Sequence, residues 1–328
     1  MKVVRILLVC WGLSIMHLAQ GQGDIDEFLE ANLEDAGQLT VNYLEPLIKG
    51  VGYGLNNGWY NTAKPHSKGF DITITATPVF IPDEDQFSTF VATDYNDLEL
   101  ITPSDGKVPT VFGPEDIEPL YQIPSNGETF TGPAGNSLED EFGFNAVPMP
   151  MVTLGVGIIP NLDVKLRFLP ITDFGDDVDV KMWGVGLLHK INQYFPQGDQ
   201  LLVDISIFGG YTHVSSEISL EGNYPGSDQI GAYSVNAWTL EGVVSYDIKF
   251  ITLYGALGYN QVNSDLDVLG NYQVDSEVIT DPISESFSYS GMKLTAGFRL
   301  KLAIVSLHAD YSLSDYNTLT VGLGLSVN

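Results

Sequence analysis

Cysteine is almost missing from this chain: Cys10 is the only one, and it lies inside an apolar N-terminal run. Without that run neither a disulfide nor a thiolate metal site is available, so stability must come from burial and hydrogen bonding. Basic residues are scarce as well, with 14 Lys and Arg against 42 Asp and Glu and a formal net charge of −28. That balance excludes binding of nucleic acid or anionic lipid through bulk electrostatics. Beyond residue 22 no apolar run approaches the roughly 18 residues that a spanning helix needs, which excludes a helical membrane protein. The GxSxG elbow, HExxH, the P-loop and the DxDxDG calcium loop are absent too. The chain reads as a non-enzyme with no cofactor and no metal.

What is present begins with MKVVRILLVCWGLSIMHLAQGQGD, in which Lys2 and Arg5 precede an apolar run that stops at Ala19. Ala19-Gln20-Gly21 fits a small-x-small cleavage site, so residues 1–21 read as a secretory signal peptide and the mature chain starts near Gln22. A lipidated cysteine would close the apolar run, whereas Cys10 is followed by Trp11 and further apolar residues. Mean hydropathy is +0.07, too apolar for a disordered acidic chain, so apolar and acidic residues must be segregated. An exported chain of this kind is either a secreted β protein with a buried core or an outer-membrane β-barrel.

Residues 24–48 place Ile25, Phe28, Leu29, Leu33, Leu39 and Tyr43 at spacings near 3.6, which predicts one or two short amphipathic helices. Residues 50–69, rich in Gly and Asn, read as an irregular connector. From Phe70 the period becomes two: in FDITITATPVF, Phe70, Ile72 and Ile74 oppose Asp71, Thr73 and Thr75. A weaker strand is expected at 89–100 and one more inside 101–147, most of which reads as a long loop. Nine clear alternating segments follow from residue 151, the last being LTVGLGLSVN, with Leu319, Val321, Leu323, Leu325 and Val327 against Thr320, Gly322, Gly324 and Ser326.

Connections between these segments alternate in length. PNL, Lys249-Phe250 and the turn near 302–303 are tight, whereas 171–177, 219–232 and 274–285 are long and acidic, and 191–200 departs from the rule. Short turns at one end and long polar loops at the other form the outer-membrane pattern, with the short turns periplasmic. Parity then requires one or three strands before residue 151. The expected fold is all-β: an antiparallel transmembrane β-barrel of about twelve strands (range 10–14) over 70–328, with an N-terminal helical plug over 22–69.

Asp71, Lys165, Arg167, Lys181, Asp204, Glu241, Asp247, Lys293, Arg299, Lys301, His308 and Asp310 fall on the polar parity of their strands and are the lumen-lining candidates. They form either a structural network in an occluded lumen or the lining of a solute path. His308 and Asp310 lie two apart on one strand, but no nucleophile or water-activating partner accompanies them, and a polar network accounts for the pair. Acidic runs such as PDEDQ and DFGDDVDV read as solvated loops before they read as calcium sites.

At GLNNGWYNTAKPH (54–66) and PTVFGP (109–114) the chain resembles an uncharacterised family of exported outer-membrane barrel proteins from Gram-negative bacteria of the Bacteroidota type. Its layout also resembles the long-chain fatty-acid transporter superfamily. Outer-membrane barrels commonly end in an aromatic residue, and this chain departs from that with Val327-Asn328. The expected function is binding or passage of a small solute, hydrophobic ones included, across the outer membrane of a Gram-negative bacterium. The alternatives are a non-transporting structural or surface-interaction barrel with acidic extracellular loops and, behind it, an outer-membrane hydrolase. The expected partners are outer-membrane lipid, the barrel-assembly machinery and a small hydrophobic solute, with no nucleic acid.

Overall fold

The computed structural model describes residues 33–139, 143–169, 178–220, 225–274 and 277–327. The expected signal peptide at 1–21, the first part of the plug segment, the acidic loop at 171–177, Glu221 and Asn328 lie outside the described residues. In chain order the elements are α1 (Leu33–Leu55), β1 (Phe70–Phe80), β2 (Phe87–Thr89), β3 (Glu99–Thr102), β4 (Lys107–Pro109), β5 (Leu120–Gln122), β6 (Thr129–Thr131), β7 (Ala146–Ile159), β8 (Leu162–Phe168), β9 (Val178–Lys190), β10 (Asp204–Ser219), β11 (Gly226–Ile248), β12 (Ile251–Val274), β13 (Glu277–Thr280), β14 (Ile283–Leu302), β15 (Val305–Leu313) and β16 (Thr318–Val327).

Ten strands close one antiparallel barrel in the order β11-β10-β9-β8-β7-β1-β16-β15-β14-β12, with β12 returning to β11, and β13 pairs only with β12. Closure runs through the first and last strands: Phe70 pairs with Val327, Ile72 with Leu325 and Ile74 with Leu323. The nine strands expected from residue 151 are all present and one precedes them, which satisfies the parity at ten rather than twelve. The described residues of 81–145 supply no barrel strand. The stretch is cut by Pro103, Pro109, Pro114, Pro119 and Pro124 into β2–β6 of three or four residues each, against the roughly 9–11 that a spanning strand needs.

The tight turns carry the left-handed residues that two-residue hairpins demand. Ile248 pairs with Ile251 and Leu302 with Val305 across such turns, with Lys249 and Ala303 each at φ 55°. The longer connection between β9 and β10, at the same end, is tied down by buried Asn192. Its amide donates to Val203 O (2.8 Å) and accepts from Ile205 N (2.7 Å).

Burial separates the two readings of the alternation. On β11, Trp238 and Leu240 are 39% and 54% exposed, whereas Thr239 and Glu241 are each 2% exposed. Outward Ile72 and Ile74, Leu253 and Leu257, Leu307 and Tyr311, and Leu323 and Leu325 are exposed, while Thr73, Thr252, His308 and Ser326 are buried. An apolar exterior over a polar interior is the polarity of a membrane-spanning barrel and the reverse of a soluble sheet. The apolar stretch from Trp238 to Ile248 rises about 25 Å along the barrel axis at a tilt of ~40°, the height of a hydrocarbon core. Among the described residues no helix is long and apolar enough to cross a membrane.

Above this belt, at the long-connection end, the same strands invert. β12 turns Asn263 and Asp265 outward and buries Val262 and Leu266. β14 exposes Ser284, Ser286, Ser288 and Ser290 and buries Ile283 and Phe287; β11 buries Val235 and Ala237. Ser284 and Ser286 donate across to Asp267 and Asp265 at 2.6 and 2.7 Å, a hydrated ladder in place of a greasy one. The chain therefore builds a belt with a polar interior and an upper tier with an ordinary apolar core.

That core holds α1. Tyr43, Leu44, Ile48, Val51, Tyr53 and Leu55 pack against Val79, Val147, Met149, Val235, Val262 and Phe287. Residues 24–32 of the expected helical stretch lie outside the described residues, and the described helix continues through GVGYGL, which the glycines had marked as a connector. Tertiary fit overrides their propensity: a Cβ at Gly52 would lie 2.4 Å from Val262 on β12, and one at Gly54 2.4 Å from Met149 on β7. β2–β6 cap the upper mouth around Tyr95, Leu98, Val108, Tyr121, Ile123 and Phe130. Burial pushes the Tyr43 and Tyr95 hydroxyls up to about 12; Tyr43 donates to Ala134 O (2.9 Å), and Asn42 donates to Tyr95 (3.0 Å).

The two tiers respond oppositely to a charge placed outward. Val244→Arg, near the belt's mid-height, is expected to cost about 2–4 kcal/mol, and Ser290→Arg, just above the belt, within ~0.5 kcal/mol. Denaturant refolding in lipid vesicles measures both.

Candidate functional site

Below Leu55 the chain leaves the apolar core and descends through the belt as a connector, residues 56–69, before entering β1. The charged wall residues meet it there. The Arg167 guanidinium, from β8, donates to the main-chain oxygens of Leu55 and Asn57, each at 2.6 Å. It thereby caps the C-terminal end of α1, where helix carbonyls have no partner of their own. Lys293, from β14, donates to Asn56 O at 2.8 Å and pairs with Glu241 of β11 at 2.8 Å. Glu241 also accepts from Tyr60 of the connector (2.6 Å) and from Thr239 (3.0 Å). Arg167, Lys293 and Glu241 are fully buried, so each charge depends on these partners for its solvation.

Trp59 completes the clamp. Its ring lies under the Arg167 guanidinium, 3.6 Å from the carbon of that group to the ring centroid. The opposite wall is glycine: a Cβ at Gly184, Gly186 or Gly210 would come within 3.2 Å of the indole. Phe208 packs tilted against it, ring centroids 5.6 Å apart, and Tyr60 meets Phe208 edge-on. The alternation of glycines in WGVG on β9 is thus a slot for one aromatic ring.

Lower in the lumen, Ala63 N donates to Ser245 Oγ (3.0 Å), Ser206 Oγ donates to Ala63 O, and Arg299 donates to Asn61 (3.2 Å) and Thr252 (3.0 Å). His66 lies near the end of the connector: its N–H and Nδ1 lie 2.8 and 2.9 Å from the two oxygens of Asp163 on β8, and Asp71 of β1 stands beside it. Asp71, Lys165, Arg167, Glu241, Lys293, His308 and Asp310 are buried in the interior. Asp204, Asp247, Arg299 and Lys301 sit toward the short-turn mouth: Asp204 pairs with Lys190, Asp247 accepts from Thr252 (2.6 Å) and Lys301 donates to Ser326 (2.6 Å). Lys181 is exposed on the outer face with Trp183, against the expectation that it lines the lumen.

His308 and Asp310 make no contact with each other that would serve catalysis. Asp310 accepts from Tyr254 (2.8 Å), and the His308 ring fills the space left by Gly322, where a Cβ would lie 2.1 Å from it. Among the residues that the sequence reading left out of the set, Trp59, Tyr60, His66 and Asp163 are the important ones. Asp163 shares the parity of Lys165 and Arg167, the one signal that could have found it.

Fold and lumen together define a closed antiparallel β-barrel plugged by its own N-terminal segment. The chain belongs to a family of unknown function (DUF6588), whose model matches residues 1–327. No curated protein matches it. Solved structures with some likeness include the attachment invasion locus protein Ail of Yersinia pestis in complex with the heparin analogue sucrose octasulfate, at 10% identity over 80% of this chain and 100% of that one, TM-score 0.30. The translocator domain of autotransporter NalP from Neisseria meningitidis gives 10% identity over 89% and 98%, TM-score 0.33. The Pseudomonas putida toluene transporter TodX gives 7% identity over 84% and 95%, TM-score 0.27. Likeness at this level carries no functional reading.

Arg167→Met leaves two carbonyls and a stacked indole without their partner and is expected to lower stability by about 2–4 kcal/mol, with faster hydrogen exchange at residues 56–60. Arg167→Lys does not restore it, because a point charge cannot reach both carbonyls. Gly322→Val is expected to cost about 1–3 kcal/mol, recovered in part by adding His308→Ala, as denaturant titration of the double-mutant cycle reads directly.

Proposed function

We propose that the protein spans the outer membrane with its belt in lipid and its upper tier outside the cell, and that a small solute crosses when the connector leaves the wall. The export signal, the Gram-negative setting, the Bacteroidota-type origin and the kinship with long-chain fatty-acid transporters belong to this same proposal. The observation that carries it is the mismatch inside the belt. The connector is held at a few points, chiefly by Arg167 and Lys293 on main-chain oxygens. Around those points Asn56 Nδ2, Trp59 Nε1, Thr212 Oγ1, both side-chain polar atoms of Asn260 and Arg299 Nε are buried without a hydrogen-bond partner. A wall built only to be filled would match its filling. A wall that also meets water keeps polar groups in excess of what the plug can use.

The interior charges are mixed in sign: Lys165, Arg167, Lys293 and Arg299 against Asp71, Asp163, Glu241 and Asp310. The lumen thus selects by size and polarity more than by charge. The competing reading is a permanently closed barrel that meets partners through the polar upper tier and the cap.

Conductance in planar bilayers separates the two. A Thr62→Cys/Ser245→Cys pair, whose hydroxyl oxygens stand 3.3 Å apart, ties the connector to β11 by a disulfide in a mature chain with no other cysteine. Arg167→Ala is expected to raise conductance, the oxidised cysteine pair to abolish it, and reductant to restore it. Equal conductance in the oxidised and reduced pair, or none after Arg167→Ala in a barrel shown folded by heat-modifiable gel mobility, overturns the reading.

A further inference from the structure

We propose that His66, Asp71 and Asp163 form a site for a first-row divalent cation, Zn2+ being the best fit, which staples the connector to the barrel wall at its short-turn end. The three residues come from the connector, β1 and β8. Among the described residues, they alone bring three His or carboxylate ligand atoms within 4.8 Å of one another. His66 Nδ1 stands 2.9 Å from Asp163 Oδ2 and 3.7 Å from Asp71 Oδ1. Ligand atoms that each stand roughly 2.0–2.2 Å from one Zn2+ lie about 3–3.5 Å apart, so the observed spacings bracket a coordinated arrangement.

The second observation is the state of Asp71. The residue is 8% exposed, and its Oδ1, the oxygen nearest His66, is buried and accepts no hydrogen bond. Its other oxygen is satisfied by Thr73 at 3.1 Å. Asp163 is arranged in the same half-committed way: its Oδ1 takes the His66 backbone N–H at 2.8 Å, and its Oδ2 faces the imidazole. Each carboxylate is therefore anchored by one oxygen and presents the other, as a metal ligand with an outer hydrogen bond does. Gly155 keeps the place open, since a Cβ there would fall 2.2 Å from Asp71 Oδ1.

Lys165 is the competitor. Its Nζ lies 3.8 Å from Asp71 Oδ1, an ion pair without a hydrogen bond. Cation entry replaces that loose pair and the contact between His66 Nδ1 and Asp163, the neutral ring ligating from Nδ1 with its one proton on Nε2. Two carboxylates and a neutral imidazole suit a borderline cation better than a soft one, and water completes the coordination. The site stands apart from solute passage: a barrel that conducts nothing can still hold the ion, and the reverse.

Calorimetric titration of the folded, EDTA-treated protein in detergent micelles with Zn2+ alone tests it. The expected result is one equivalent bound, weakened at least tenfold by Asp71→Asn and by His66→Ala, and tightened by Lys165→Met, which a merely structural cluster would not show. Zn2+ is also expected to slow hydrogen exchange at residues 64–68 of the unmutated protein, a readout that needs no variant to fold. Binding unchanged in Asp71→Asn, weakened in Lys165→Met, or no stoichiometric uptake together with unaltered exchange overturns the site.

Discussion

A strand edge left open in lipid strands a row of N–H and C=O groups that nothing can satisfy, so a membrane-spanning sheet must close on itself. Here closure falls on β1 and β16, paired from Phe70↔Val327 upward, and the rest of the molecule follows from that join. Ten strands at ~4.8 Å spacing and ~40° tilt give a backbone radius of roughly 10 Å. An α-helix with ordinary side chains is itself about 10–12 Å across, so it fits only where side chains are missing on one partner. Gly50 and Gly54 meet β7 from one side and Gly52 meets β12 from the other. The GVGYG run is the dimension of the barrel written into the helix.

The join also explains why the strands differ so much in length. β15, β16 and β1 stop near the top of the belt, whereas β10, β11, β12 and β14 run on. α1 packs against β1, β7, β11, β12 and β14, and Val111 and Phe112 from the cap join its core. A strand that leaves lipid for water must exchange its faces, and it does so without a register shift. On β12 the outward row passes from Leu257 and Tyr259 to Asn263 and Asp265, and the inward row from Asn260 to Val262 and Leu266. Trp238 and Tyr259 touch at this level, with ring centroids 5.9 Å apart, as interfacial aromatics do.

This inversion sets what was legible in the sequence. Alternation shows which residues share a face, and it recovered the strands from 151 onward and the buried charges Arg167, Glu241, Lys293 and Asp310. It does not show which face is inside; that needed the burial of Glu241 beneath an exposed Leu240. Lys181 was misplaced because on β9 the polar and apolar sets exchange sides just below it, so parity carried across the boundary gave the wrong face. Ten strands fall within the expected range of 10–14; the preference for twelve counted Pro-rich stretches whose pieces of three or four residues pair locally in a cap. α1 was cut short because glycine was taken at its intrinsic propensity, while the contacts that explain it lie some hundred or two hundred positions away, at Val147 and Val262. The connector's partners are illegible for the same reason: nothing local to Asn56 names Lys293.

The plug is held by two kinds of force, and the difference shapes how it can move. α1 is retained by apolar burial in the upper tier, which is lost gradually with area. The connector is retained by buried charges, which behave otherwise. Arg167 and Lys293 are solvated by the oxygens of Leu55, Asn56 and Asn57 alone or with Glu241, and a buried charge deprived of its partners costs several kcal/mol. Withdrawal of the connector by a few ångströms, with nothing in its place, would leave those charges bare. The only inexpensive exchange is connector for water, and water reaches Arg167 only when the lumen is open to one end. On the proposed opening, partial withdrawal is thus the least stable arrangement, and that proposal requires two states, closed with the charges on the chain and open with the charges on water. The helix can stay seated in its apolar core through both.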